Sequence, residues 1–214
     1  TQQVYRSSYH GADIHIPMKY GIYQVVGDTC GPAGMMMGLR SVPAYLEIAR
    51  TMEQRCPNAI LVNHSNPMAV LCRALNKYTG IQTIGLCHGV QAGIRYAAGL
   101  LGVPPHELSC TWVGTNHYYW FTRVAHKGRD MHAELLARLA EQQVPAACQM
   151  AKELSLAYRH QIVYPQDDHI IEFYPFGAQV RSIDELPYDL PAHARRRGVG
   201  EGLPSPQAGP PSAE

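Results

Sequence analysis

From Met35 to Arg55, the apolar side chains of Leu39, Val42, Leu46, Ile48, Ala49 and Met52 fall mostly at helical spacing. The pattern predicts one long helix, opened by Pro32-Ala33-Gly34. Pro43 lies inside this run and is expected to kink or split it, because it has no N–H to donate and its ring crowds the preceding turn. Met35, Met36 and Met37 are adjacent and point different ways on a helix, so they read as core packing rather than as soft metal ligands. Ala59-Ile60-Leu61-Val62 is a short run of β-branched character that predicts a buried parallel strand. Asn66 as cap and Pro67 at the first helical position then start a helix that ends near Gly80. Gln82 to Leu86 predicts a second strand, followed by a helix from about Val90 to Leu101. Strand, helix, strand, helix implies a parallel sheet with right-handed crossovers. The first thirty residues are mixed and turn-rich, with no predicted element.

The pattern changes after Pro104-Pro105. Ser109 to Val113 and Tyr118 to Val124 read as strands around a Gly114-Thr115-Asn116-His117 turn. Met131 to Ala140 and Val144 to Tyr158 read as helices, and Ile162-Val163-Tyr164 as a further strand. This is α+β character, so a second region is expected to begin at residue 108 and to run to about 190. From 191 to 214 the chain is rich in Pro, Gly, Ser and Arg, a composition that predicts disorder. Gly198-Val199-Gly200-Glu201-Gly202 has no preceding strand and does not read as a dinucleotide loop.

Composition adds limits. Hydrophobic residues make up 46% and charged residues 16%, enough apolar mass for a sizeable core. Lys and Arg total 18 against 17 Asp and Glu, so no global field asks for nucleic acid or an anionic membrane as partner. No apolar run reaches the length of a membrane span, and the N-terminal residues lack the layout of a signal peptide. Six cysteines are scattered singly, which reads as reduced thiols in a cytoplasmic protein, mostly buried.

Polar residues gather where the predicted strands end. The first strand delivers Asn63, His64 and Asn66, the second Cys87 and His88, and the third Asn116 and His117. In open α/β sheets ligands bind outside the carboxyl ends of the strands, so these clusters are expected to line one crevice. Cys87 and His117 offer a thiolate and an imidazole, a borderline-soft pair suited to a divalent transition metal with open positions. Taken singly, a Cys or a His at a strand end is more often structural, and spacing alone leaves that alternative open.

The ordered motifs carry more. Gln24-Val25-Val26-Gly27-Asp28-Thr29-Cys30-Gly31-Pro32, Asn63-His64-Ser65-Asn66-Pro67-Met68, Gly85-Leu86-Cys87-His88-Gly89-Val90 and Gly114-Thr115-Asn116-His117 succeed one another along the chain. In that order they resemble family 4 glycoside hydrolases, the NAD- and manganese-dependent α-glycosidases, from about residue 10 to about residue 180. The resemblance implies an α/β fold: the remainder of a Rossmann-like, lactate/malate dehydrogenase-like parallel sheet, then an α+β substrate region, incomplete at both ends. Residues 1–107 would be the later part of the NAD-binding domain and 108–190 part of the catalytic domain.

The implied activity is hydrolysis of unphosphorylated α-glycosides by oxidation at C3, deprotonation at C2 and elimination, outside the usual two-carboxylate route. NAD and Mn²⁺, or another divalent metal, are the implied cofactors, an α-linked sugar is the substrate, and the full-length protein is expected to be a homo-oligomer. Matched position by position, Cys87 and His117 are the metal ligands and Asn66 a substrate contact. His88 is either an acid at the leaving group or a hydrogen-bonding neighbour of the metal cysteine. Asp168, in Asp167-Asp168-His169-Ile170-Ile171-Glu172-Phe173-Tyr174-Pro175, stands at the suspected acid/base position, with Tyr164 or Tyr174 as alternatives. Asp28 and Asn63 are the expected cofactor contacts, Asp28 having a turn or capping role as its alternative. No G-x-G-x-x-G occurs in the 214 residues, so an inactive partial enzyme is the alternative function, with a lactate/malate-type dehydrogenase a weaker one.

Overall fold

The computed structural model describes residues 9–163 and 165–174. The calls on the 191–214 tail, on Tyr164 and on the stretch from 175 to 190 lie outside those residues. The chain packs as two compact units that divide after Leu86.

In the first unit, α1 (Tyr9–Met18) and α2 (Gly31–Arg55) precede β1 (Ile60–Asn63), α3 (Met68–Tyr78) and β2 (Gln82–Gly85). The two strands pair in parallel, Ile60 opposite Gln82 and Asn63 opposite Gly85. Tyr45 and Ala49 of α2 close on Leu71 and Leu75 of α3 and on Ile81. Burying each large side chain there contributes about 1.5–3 kcal/mol.

Helix α1 was not expected. Gly11 and Pro17 lie within it, and its apolar residues form no clear stripe, but Ile14 is fully buried against Ala33 of α2. Helix α2 runs unbroken through Pro43, so the chain does not split there. The missing N–H costs one helical bond, and burial of Ser41, Tyr45 and Ala49 on either side keeps the helix whole. The methionine cluster is only partly core: Met37 is buried, whereas Met35 and Met36 are 62% and 40% exposed. Strand β1 is parallel as expected but not buried, since Ile60 and Val62 stand exposed on the same side as Ile84 and Leu86.

The second unit starts with α4 (Gly89–Leu101), followed by β3 (Leu108–Thr115), β4 (Tyr118–His126), β5 (Arg129–Asp130), α5 (His132–Glu141), α6 (Gln149–Ala157) and α7 (Asp167–Phe173). The strands form an antiparallel sheet in the order β3-β4-β5, with a register shift between Thr111 and Trp112. Residues 161–163 run along β4 through Phe121 N–H to Gln161 O and Val163 N–H to Tyr119 O. Ala97 and Leu101 of α4 share a core with Tyr119, Phe121, Val124, Leu135 and Val163. That packing explains why the units divide after Leu86: α4 buries its apolar stripe on the antiparallel sheet. The expected helix over 144–158 is shorter, because Ala146–Cys148 form a single 3-10 turn after Pro145. The cysteines also differ from expectation: none of the six is in a disulfide, but five are partly exposed and Cys56 is exposed.

Gly93 marks a tight approach in this unit. A Cβ there would meet the Val163 carbonyl oxygen at 2.2 Å. Gly93→Ala is expected to destabilise the second unit by about 1–3 kcal/mol, as overpacked sites do. Urea unfolding followed by Trp fluorescence checks this, and an unchanged midpoint would refute it.

Candidate functional site

Cys87 lies two residues past β2 and precedes α4, whose cap residue is His88 (φ −99°, ψ 0°). A cysteine there takes a hydrogen bond from the Gly89 N–H at the head of a 13-residue helix, which favours a thiolate. His117 is the second of the two residues that join β3 to β4, between the paired Thr115 and Tyr118, and it has φ +65°. A left-handed conformation is disfavoured for a residue with a Cβ, and such strain tends to persist where a side chain must be aimed.

The hairpin brings His117 Nε2 to 3.2 Å from Cys87 Sγ. Burial pushes the Cys87 thiol up, but hydrogen bonds from His117, Asn116 and the Gly89 backbone outweigh it, and the pKa falls to about 7. A substantial share of Cys87 is therefore thiolate at neutral pH, the form that ligates metals.

The pair fits a shared metal. Bonds of 2.3 Å to sulfur and about 2.05 Å to nitrogen put the two donors roughly 3.1 Å apart at a right angle and roughly 3.6 Å apart at a tetrahedral one. The observed 3.2 Å lies between these. Among the described residues no group of three or more His, Cys, Asp or Glu side chains is placed to hold a metal. Two protein donors would leave positions for substrate oxygens.

His117 has further neighbours that the sequence reading gave no role. Its ring meets His169 at 4.9 Å and Phe173 at 4.5 Å, both edge to face. His169 and Phe173 are four residues apart on α7 and so share one helix face, a spacing visible in the sequence. Asp168 Oδ1 lies 2.7 Å from His169 Nδ1 and accepts the His169 backbone N–H at 2.7 Å. Asp168 is thus tied to His169 beside His117. Tyr174, the alternative base, is a core residue at 1% exposure, and burial drives its phenol far above the usual range.

The remaining expected residues belong to the first unit. Asn63 is 2% exposed, and its amide closes the loop after β1 by accepting from Ser65 N–H at 3.0 Å and donating to Ser65 O at 3.2 Å. Asn66 does not cap α3, which begins one residue later than expected with Pro67 as cap. Instead Asn66 Nδ2 donates to Asp28 Oδ2 at 2.7 Å, while Thr29 Oγ1 donates to Asp28 Oδ1 at 2.8 Å. Asp28 is 4% exposed, and the structure joins it to Asn66 across 38 positions of sequence. Gln24 Oε1 accepts Ala33 N–H at 2.7 Å, tying the segment before Asp28 to the start of α2.

Comparison with known proteins places the chain. It is 33% identical over 187 residues to an alpha-galactosidase of Bacillus subtilis (strain 168), across 86% of this chain and 43% of that protein. The crystal structure of the Bacillus subtilis protein lplD superposes with a TM-score of 0.70 at 28% identity, covering 89% of this chain and 50% of that one. A 6-phospho-alpha-glucosidase from gut microorganisms, solved in complex with NAD and Mn²⁺, shares the fold with a TM-score of 0.64 at 23% identity, covering 89% of this chain and 47% of that one. The chain therefore spans half or less of the length of each of these proteins. With residues 3–101 matching the family 4 glycosyl hydrolases, the chain belongs to that family.

Proposed function

We propose that this chain carries the metal-binding and sugar-holding residues of an NAD- and divalent metal-dependent glycosidase acting on unphosphorylated α-glycosides. The observation that carries the reading is the 3.2 Å approach of Cys87 Sγ and His117 Nε2, a soft donor pair at the head of α4. Family membership and the alpha-galactosidase relative support an α-glycoside as substrate. Bound NAD would supply a hydride acceptor, and bound Mn²⁺ or another divalent ion a Lewis acid for neighbouring sugar oxygens.

The chain's own groups divide the remaining work. Cys87 and His117 hold the metal. Asn66 offers Oδ1 to a sugar hydroxyl while its Nδ2 is fixed on Asp28. Asp168 takes the proton from C2, and His88 orients or protonates the leaving oxygen at the start of α4. Asp28 and Asn63 serve the cofactor side, Asn63 through the loop its amide closes. Residues 1–107 then belong to the NAD-binding part and 108–190 to the catalytic part of a cytoplasmic, homo-oligomeric enzyme. No helix among the described residues is long and apolar enough to cross a membrane.

The absence of G-x-G-x-x-G from the 214 residues favours a second reading, in which the isolated chain binds metal but does not turn over. One assay addresses both. Release of p-nitrophenol from the α-galactoside, α-glucoside and α-glucuronide is followed with NAD, Mn²⁺ and reductant. It is run for this chain and for a protein that carries this sequence within the family's full length. The proposal expects turnover in the longer protein that disappears when either NAD or metal is omitted. Turnover indifferent to both would refute it.

A further inference from the structure

Residues from outside its hairpin pack on the His117 ring. A two-residue loop at φ +65° positions the His117 backbone, but rotation about χ2 of an imidazole is broad and nearly two-fold. A half-turn of that ring would present Cε1 to Cys87 in place of Nε2. Phe173 at 4.5 Å and His169 at 4.9 Å meet the ring edge to face, with interplanar angles of 87° and 64°, and stack on one another at 5.7 Å.

The helix that carries them is itself pinned. Ile170 is fully buried and Ile171 is 8% exposed. Asp167 accepts the Met150 and Ala151 N–H groups at 3.0 and 2.8 Å, binding the start of α7 to the start of α6. Asp168 holds His169 through both its backbone N–H and Nδ1.

We propose that α7 acts as a clamp on the metal-ligand imidazole, with His169 and Phe173 as positioning residues that keep His117 Nε2 directed at Cys87. The inference rests on the reading of Cys87 and His117 as the metal pair. Groups that orient a ligating histidine typically change metal affinity by about 10–100-fold when removed. The two rings do this by shape and edge contact, without ligating the metal.

The test is an anaerobic titration of the 214-residue chain with Co²⁺, reading affinity and the thiolate-to-cobalt absorption band. Wild type should show the band, and Cys87→Ser and His117→Ala should abolish it. A wild type without the band, or a Cys87→Ser protein that keeps it, would overturn the metal reading and the clamp with it. Given a Cys87-dependent band, Phe173→Leu and His169→Ala should weaken Co²⁺ binding by about 10-fold or more and shift the band. His169→Phe restores a ring edge and should recover affinity to within about 3-fold of wild type. Phe173→Leu and His169→Ala proteins with wild-type affinity and band would overturn the clamp alone. So would a His169→Phe protein as weak as His169→Ala. Near-ultraviolet circular dichroism verifies folding, and if His169→Ala unfolds, Phe173→Leu and His169→Phe carry the comparison between them.

Discussion

Replacing Asp167 with alanine is expected to lower the stability of the second unit by roughly 3 kcal/mol and its thermal midpoint by roughly 10 °C. Asp167 is fully buried, and its two oxygens accept the Met150 and Ala151 N–H groups. These are among the first-turn donors of α6, which have no partner within their own helix. Alanine would leave both buried and unsatisfied, at about 1–3 kcal/mol each, offset in part by release of a desolvated carboxylate.

The pH dependence gives an independent check on the same residue. Burial raises the Asp167 pKa above its ordinary value, despite the hydrogen bonds that pull it down. The folded state therefore holds the proton more tightly than the unfolded chain. This group's stabilising contribution is full below the unfolded pKa and is lost as pH rises through the folded value. The stability gap between wild type and Asp167→Ala should thus widen on acidification from neutral pH towards 4. Denaturant midpoints at several pH values measure the gap, and one that narrows would show that burial does not dominate at this carboxylate.

Asp167 and its neighbours also mark where sequence reasoning reached its limit. Helical spacing located α2, which buries one stripe, and the Gly114 to His117 turn located β3 and β4, although β4 alone of the two carries fully buried residues. Helix α1 escaped because it is held by contacts with α2, Ile14 against Ala33 and Asp13 paired with Arg40, rather than by a pattern of its own. The Cys87 and His117 motifs were legible in order along the chain, but not their 3.2 Å approach, which depends on a hairpin tip folding back to α4. Asn66 shows the reverse error. An Asn-Pro pair before an apolar run reads as a helix start, yet its amide is committed to Asp28 instead. Local propensity cannot reveal a partner 38 residues away.

Cys87→Ser should separate function from fold more cleanly than any other change in the chain. The substitution alters one atom of a half-buried side chain, so the melting temperature should stay within about 2 °C of wild type. Serine keeps a hydrogen-bond donor for His117 but does not ionise near neutral pH, so the donor pair loses its soft anionic member. Metal affinity should then fall by more than about 100-fold, beyond the loss expected from an outer-shell change. In a longer protein carrying this sequence, losing the Lewis acid removes several kcal/mol of transition-state stabilisation, or roughly a 10³-fold slower rate. The measurements are metal content after gel filtration and NAD-dependent turnover at saturating Mn²⁺. His117→Asn should reproduce the loss, since an uncharged amide also replaces a ligating nitrogen. A Cys87→Ser protein that retains both its metal and its rate would remove the donor pair from the site. The 3.2 Å contact would then be only a hydrogen bond at the head of a helix.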